Sequence, residues 1–306
     1  FGVNAPVAIG LAVLALQVIP RDVPELPEHR FDGWAAVLLT GAVGLLVFAL
    51  IEGRQLGWGS AEVLGAMAVA GIGTVAFARR ELRHPAPLVE LALLRSRVFL
   101  AANLGGAAMF GALTGLAVYF SVFFQQIQGR SALEAGLCLL PQGALTALCA
   151  PLAGRIAARW GVRPPILAGM AIACAGVLAM LRLEPATPIA DIWWAFALLG
   201  VGTGIALPAM TVTALASAPA ARAGMAAAIH NASRQLGQTF GVAVLGTIIL
   251  ARAGKQAHGS RLEGPAVGTW IDGLHVALVV TAGGLALTIA VIAVLLRPRG
   301  GDPSGG

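Results

Sequence analysis

Nine apolar runs, set nearly end to end, leave this chain little choice of architecture. They cover 1–19, 33–51, 61–78, 98–122, 133–153, 164–182, 191–215, 224–250 and 273–296. A helix needs about 20 mostly apolar residues to cross a bilayer. Glycine and proline inside the runs do not argue against helices, because neighbouring helices re-satisfy freed backbone groups. Charged residues make up 11% of the 306, where a soluble domain of this length carries about a quarter. The shortage extends along the whole chain, so the reading is an all-α, polytopic integral membrane protein of about nine transmembrane helices. The third run is short and the eighth contains Arg234, which makes these two the least regular.

The connections alternate in basic content. Arg21, Arg30, Arg79, Arg80, Arg83, Arg95, Arg97, Arg155, Arg159, Arg163, Arg222, Arg297 and Arg299 fall on one side, against Arg54, Arg130, Arg182, Arg252, Lys255 and Arg261 on the other. By the positive-inside rule the first set is cytoplasmic, which puts the C-terminus inside and starts the chain outside. The start lacks Met and has neither a charged leader nor a cleavage site, so a C-terminal portion of a longer chain is expected. The net charge of +6 is accounted for by this topology, and no basic stretch is interleaved with aromatics, so no nucleic-acid partner is expected. Cys138, Cys149 and Cys174 all sit inside apolar runs and read as small buried residues.

The polar segments are too small for a catalytic domain. PRDVPELPEHRFD reads as a Pro-rich linker, and RRELRHPAPLVELALLRSR as a cytoplasmic segment whose second half is amphipathic. GKQAHGSRLEGPAVGTW reads as an outside loop and RPRGGDPSGG (297–306) as a disordered tail. GIGTVA at 71–76 fits a dinucleotide fingerprint formally, but it lies in mid-span, where helix packing through small residues is the better reading. Gly200 and Gly204 of GVGTGIALP read likewise, with Pro208 a candidate kink. All fourteen carboxylates fall in loops or at span ends, where they are expected to be solvated. Paired acids, metal clusters and nucleophilic sets are not visible, so no enzyme, cofactor or metal site is expected. His275 reads as an interfacial histidine.

Two stretches carry candidate function. The turn LAGRIAARWGVRPPILAG holds Gly154, Arg155, Arg159, Gly161 and Arg163. It is either a plain basic turn or one whose arginines touch facing helix ends, and spacing alone favours the first. In HNASRQLGQTFGVAVLGTI, helical geometry puts Asn231, Arg234, Gln235 and Gln238 on one stripe. His230, Gly237 and Gly241 fall on a neighbouring face, with GQTFG a close-packing pattern. An Arg facing lipid at mid-bilayer costs about 2.5–3.5 kcal/mol, so the stripe is expected to line an aqueous cavity, with snorkelling to the headgroups as the alternative. Leu at Gly237 or Gly241 should separate the helices, whereas Ala should be milder. His230 shares the packing face, which favours packing over proton transfer.

These residues also resemble a known family. YFSVFFQQIQGRSALEAGLCLLPQGA, the 201–248 helix pair and above all NASRQLGQTFGVAVL are similar to the 14-helix drug:proton antiporters of the major facilitator superfamily, the EmrB/QacA type. The turn at 154–163 resembles that superfamily's cytoplasmic loop motif, but has Ala158 where the full motif carries an acid. The resemblance implies that 1–19 is the last helix of an N-terminal bundle and that 20–97 is a linker with two inserted helices. It makes 98–296 a six-helix transport bundle, with the rest of the N-terminal bundle missing. It implies a multi-pass protein of the bacterial plasma membrane that exports lipophilic or cationic drugs in exchange for protons by alternating access. The polar cavity residues would be Asn103, Tyr119, Gln142, Asn231, Arg234 and Gln235, with Phe110 and Phe123 as apolar contacts. An exporter of one endogenous metabolite, antibiotic or lipid, and a non-transporting scaffold, remain as alternatives.

Overall fold

The computed structural model describes residues 4–18, 32–83, 91–219, 222–253 and 264–297. The segments expected as linker, outside loop and tail lie largely outside the described residues. Ten helices follow one another: α1 (Asn4–Val18), α2 (Gly33–Leu56), α3 (Ala61–Glu81), α4 (Leu91–Arg95), α5 (Arg97–Val122), α6 (Ala132–Trp160), α7 (Arg163–Ala179), α8 (Ile189–Ala216), α9 (Ala223–Ala253) and α10 (Pro265–Leu295). A π turn, Phe123–Ile127, prolongs α5, and a 3₁₀ turn, Met180–Arg182, closes α7. No strand occurs among the described residues.

Each of the nine apolar runs falls on a helix. Seven of these are long and apolar enough to cross a membrane: α2, α3, α5 with its π turn, α6, α7 with its 3₁₀ turn, α8 and α10. The other two are α1, which is shorter, and α9, whose first half carries His230, Asn231, Arg234, Gln235 and Gln238. The sequence reading placed the start of the last span too late. α10 begins at Pro265, where a residue without an N–H loses nothing at a helix start, and Gly264 at φ 62° turns the chain into it.

Polar residues at the helix starts explain several boundaries. Ser60 and Ser96 accept from Val63 N and Phe99 N, each at 3.3 Å. Ser131 and Glu134 form a reciprocal capping box at the start of α6, behind Gly129 at φ 67°. Asp32 caps α2 through Ala35 N (3.1 Å) and takes two hydrogen bonds from Arg80 at 2.8 and 2.9 Å, tying the start of α2 to the end of α3. Bidentate geometry of this kind fixes orientation as well as distance. The neighbouring Glu81 is 4% exposed, which corrects the expectation that every carboxylate is solvated. It sits at the α3 end as the sequence implies, but packing covers it.

In the six-helix bundle α5–α10, α5 packs most extensively on α9, and α8 on both α6 and α7, with α10 against α5, α7 and α9. Small residues let the backbones approach. On α8 the glycines divide by face: Gly200 and Gly204 meet Gln142 and Thr146 of α6, while Gly202 meets Gly169 and Ala173 of α7. Between apolar helices in lipid, such close van der Waals contact replaces the hydrophobic effect as the force that joins them. Thr146 and Thr203 add a hydroxyl pair at 2.8 Å across α6 and α8. At the end of the bundle near the π turn, the rings of Phe120, Phe123, Phe124, Phe196 and Trp270 form the aromatic core. Gly73 of GIGTVA faces Ala42 of α2, with a Cβ there 3.2 Å from the Ala42 Cβ, in keeping with a packing role. α2 and α3 pair with each other, and α2 also touches α9.

Candidate functional site

The structure joins the polar stripe to α5. Arg234, one turn beyond His230, projects over Phe110, its Cζ 4.0 Å from the ring centroid. Its Nε is buried without a hydrogen-bond partner. A guanidinium seated on a π face is held by the ring quadrupole rather than by a counter-charge. Asn231 and Gln235 are exposed on the same side of α9, and Gln238 is half-buried.

Behind the stripe, α5 and α9 are in backbone contact. A Cβ on Gly237 would fall on the Ala107 main chain, and one on Gly241 on the Gly111 main chain. From the other side, a Cβ on Gly111 would lie 2.7 Å from the Gly237 carbonyl oxygen, and one on Gly115 3.1 Å from the Gly241 carbonyl oxygen. The obstacle to a side chain is main chain, which cannot rotate aside. Ala at these two glycines is expected to be milder than Leu but still destabilising, because a methyl already has no room. The matching stripe on α5, Ala107, Gly111 and Gly115, was not singled out in the sequence, although its four-residue spacing is the signal that could have found it.

Asn103 is buried and bonded to His230 (3.3 Å). Tyr119 is also buried, and its hydroxyl donates to Val242 O at 3.2 Å, another α5–α9 tie. Phe123 is fully buried in the aromatic core, stacked on Trp270 at 6.2 Å between centroids, and contributes no surface to an open cavity. Gln142 is half-buried on α6 with its main chain against Gly200. The structure thus seats Arg234 on Phe110, leaves Asn231 and Gln235 exposed on the same side of α9, and puts Tyr119 and Phe123 into the packing.

A groove of about 600 Å³ lies on the opposite side of α9 from Asn231 and Gln235. It is lined by Leu104, Ala108, Leu236, Phe240, Val280 and Gly284, among others, chiefly from α5, α9 and α10.

In the basic turn, Gly161 at φ 78° ends α6, and its N–H bonds Ala157 O. Gly154, Arg155 and Arg159 are exposed. Arg163 reaches across to α10, donating to Ala293 O at 3.5 Å, so one arginine of this turn does touch a facing helix end. His275 donates through Nε2 to Leu183 O at 2.9 Å, tying α10 to the connection before α8.

The sequence model of the Major Facilitator Superfamily matches residues 1–242. The chain belongs to the major facilitator superfamily. Among curated proteins, it is 34% identical to multidrug resistance protein Stp of Mycobacterium tuberculosis over 82% of this chain and 46% of that protein. It is 32% identical to the tetracenomycin C resistance and export protein of Streptomyces glaucescens, over 83% of this chain and 47% of that one. It is 33% identical to the puromycin resistance protein pur8 of Streptomyces alboniger, over 97% and 60% respectively. The chain spans about half the length of the first two relatives. A solved bacterial homolog to the human lysosomal transporter Spinster, inward-facing and occupied, superposes with TM-score 0.54 at 18% identity, covering 86% of this chain and 66% of that one. That likeness shows the fold. As a major facilitator member with seven helices, among the described residues, long and apolar enough to cross a bilayer, this is a multi-pass membrane protein of a transporter family.

Proposed function

We propose that this chain is the transport-bundle part of a secondary-active exporter, in which 98–296 works against an N-terminal bundle whose last helix is 1–19. The supporting observation is the exposed side of α9, where Asn231 and Gln235 stand outside the packed core beside the Phe110-seated Arg234. Exposed apolar side chains such as Leu287 on α10 suit lipid, whereas this polar surface suits water or another protein bundle across an aqueous path. Alternating access then rocks one bundle against the other around a site between them. In this reading the protein lies in the bacterial plasma membrane, with Arg155, Arg159 and the C-terminus cytoplasmic. The proposed cargo is a lipophilic, often cationic, compound moved in exchange for protons. The inserted pair α2 and α3, within 20–97, is accessory.

A narrower cargo is the second reading. It is favoured by relatives named for single antibiotics, tetracenomycin C and puromycin, rather than for many drugs. The test is to express the full-length protein in an efflux-deficient bacterium and to measure accumulation of ethidium and a panel of antibiotics. We expect lower accumulation than in the vector control, restored by a protonophore, with the breadth of the panel separating the two readings. Accumulation equal to the control for every compound, at verified membrane abundance, would contradict both. The 306-residue chain alone should give no gradient-driven uptake in liposomes, because alternating access needs two bundles.

A further inference from the structure

His230 is 2% exposed at the meeting of α5, α8 and α9, and both of its ring nitrogens are engaged. Nδ1 lies 3.3 Å from Asn103 Oδ1 and Nε2 lies 3.2 Å from Thr211 Oγ1. Asn103 donates through Nδ2 to Phe99 O (2.8 Å), which turns its Oδ1, a pure acceptor, toward the ring. Nδ1 therefore carries a hydrogen. Thr211 has a second acceptor within reach, Leu207 O at 3.1 Å. With Nε2 bare, the single hydroxyl hydrogen of Thr211 serves either Nε2 or Leu207, not both. With Nε2 protonated, the ring donates to Oγ1 and the hydroxyl keeps Leu207. The imidazolium completes one more hydrogen bond than the neutral ring.

Arg234 packs on the same spot of α5. A Cβ on Gly106 would lie 3.0 Å from His230 Cε1 and 3.5 Å from Arg234 Cγ, so one glycine admits both side chains. We propose that His230 is a proton-binding site of this bundle, and that its charge sets where Arg234 rests. Neutral His230 leaves the guanidinium on Phe110. A proton taken up on the Nε2 lone pair, from water at the exposed stripe, places a second cation one turn away and drives Arg234 off the ring toward Asn231 and Gln235. Like charges at i and i+4 repel, and the Phe110 seat supplies no carboxylate to hold Arg234 against that.

The charges around the ring make Arg234 the partner. From α5 the facing groups are Asn103 and Gly106, and from α8 Thr211, none of them charged. The ionisable residues of α8 and α10, namely Asp191, Asp272 and His275, lie near the far ends of those helices, and Arg97 stands at the start of α5. α2, which also packs on α9, has Asp32 paired with Arg80 at one end and Glu52 and Arg54 near the other. The consequence for transport rests on the exporter reading: a guanidinium displaced into the stripe repels a lipophilic cation bound there. Proton uptake and cation binding then oppose one another reciprocally, as linkage requires.

The test places 4-fluorophenylalanine at position 110 in the chain in lipid nanodiscs and follows its fluorine resonance between about pH 5 and 8, where a histidine titrates. The expected result is a resonance that moves along a single-proton curve. That curve should vanish in His230→Gln and in Arg234→Ala, and persist in His275→Gln. A flat resonance in the parent, or the same curve in His230→Gln, would overturn the proposal. Should His230→Gln fail to fold, as read from its thermal melt, Thr211→Val removes the Nε2 partner alone and must move the midpoint; an unmoved midpoint also overturns it. The readout needs no transport, so absent efflux counts against the exporter reading and a flat resonance against the proton site.

Discussion

Replacing Arg234 with Ala in the full-length protein should reduce efflux to the vector background while membrane abundance stays unchanged. The guanidinium lies 4.0 Å over Phe110 with its Nε buried and unbonded, so the substitution breaks no ion pair and frees no buried carboxylate. What is lost is a cation–π contact of about 0.5–2 kcal/mol, too little to unfold a bundle held by helix packing, together with the fixed positive charge beside the stripe. Arg234→Lys should give intermediate efflux, since an ammonium keeps the charge but not the planar stack. Efflux assays against immunoblotted membrane fractions decide the matter. Wild-type efflux by the Ala variant would remove Arg234 from the mechanism.

A loss of opposite kind is expected at Gly237 and Gly241, where stability rather than transport fails first. The atoms in the way are the main chain of Ala107 and Gly111, so even Gly237→Ala forces α5 and α9 apart along their most extensive contact. Overpacking of a well-filled core costs about 1–3 kcal/mol, and here the strain cannot relax by a rotamer change. Both Ala variants should melt at lower temperature in detergent, and both Leu variants should fail to accumulate as folded protein. Gly136→Ala, with nothing within 4 Å of its added methyl, is the control and should melt like the parent. Equal melting of Gly237→Leu and the control would show that α5 and α9 do not meet as described.

The helices were legible in the sequence because bilayer-length apolar runs have a single regular solution, and all nine runs fall on helices. The stripe of α9 was legible for the same reason, since spacings of three, four and seven define a face whatever surrounds it. What sequence could not supply is which face meets which partner. Tyr119 was expected among the cavity residues, whereas its hydroxyl meets the Val242 carbonyl of α9. Phe123 belongs to the aromatic core because it lies three residues after Phe120, on the face that meets Phe196 and Trp270, and which face meets which helix leaves no mark in composition. His230 read as a packing residue from its place beside Gly237. Its bonds to Asn103 and Thr211 depend on positions 127 and 19 residues away, beyond any local pattern.

The central claim is that the Asn231–Gln235 side of α9 faces water inside a two-bundle transporter, and water-soluble thiol labelling tests it most directly. Asn231→Cys and Gln235→Cys would each be made in the full-length protein, with Leu287→Cys as an exposed apolar reference on α10. The native Cys138, Cys149 and Cys174 are buried and should contribute little background. Treated with a charged, small thiol reagent in membranes open to both sides, the two stripe cysteines should react readily and the Leu287→Cys variant should stay unmodified, as a lipid-facing thiol would. Stripe cysteines that react no faster than Leu287→Cys would place this face in lipid or in dry packing and contradict the account.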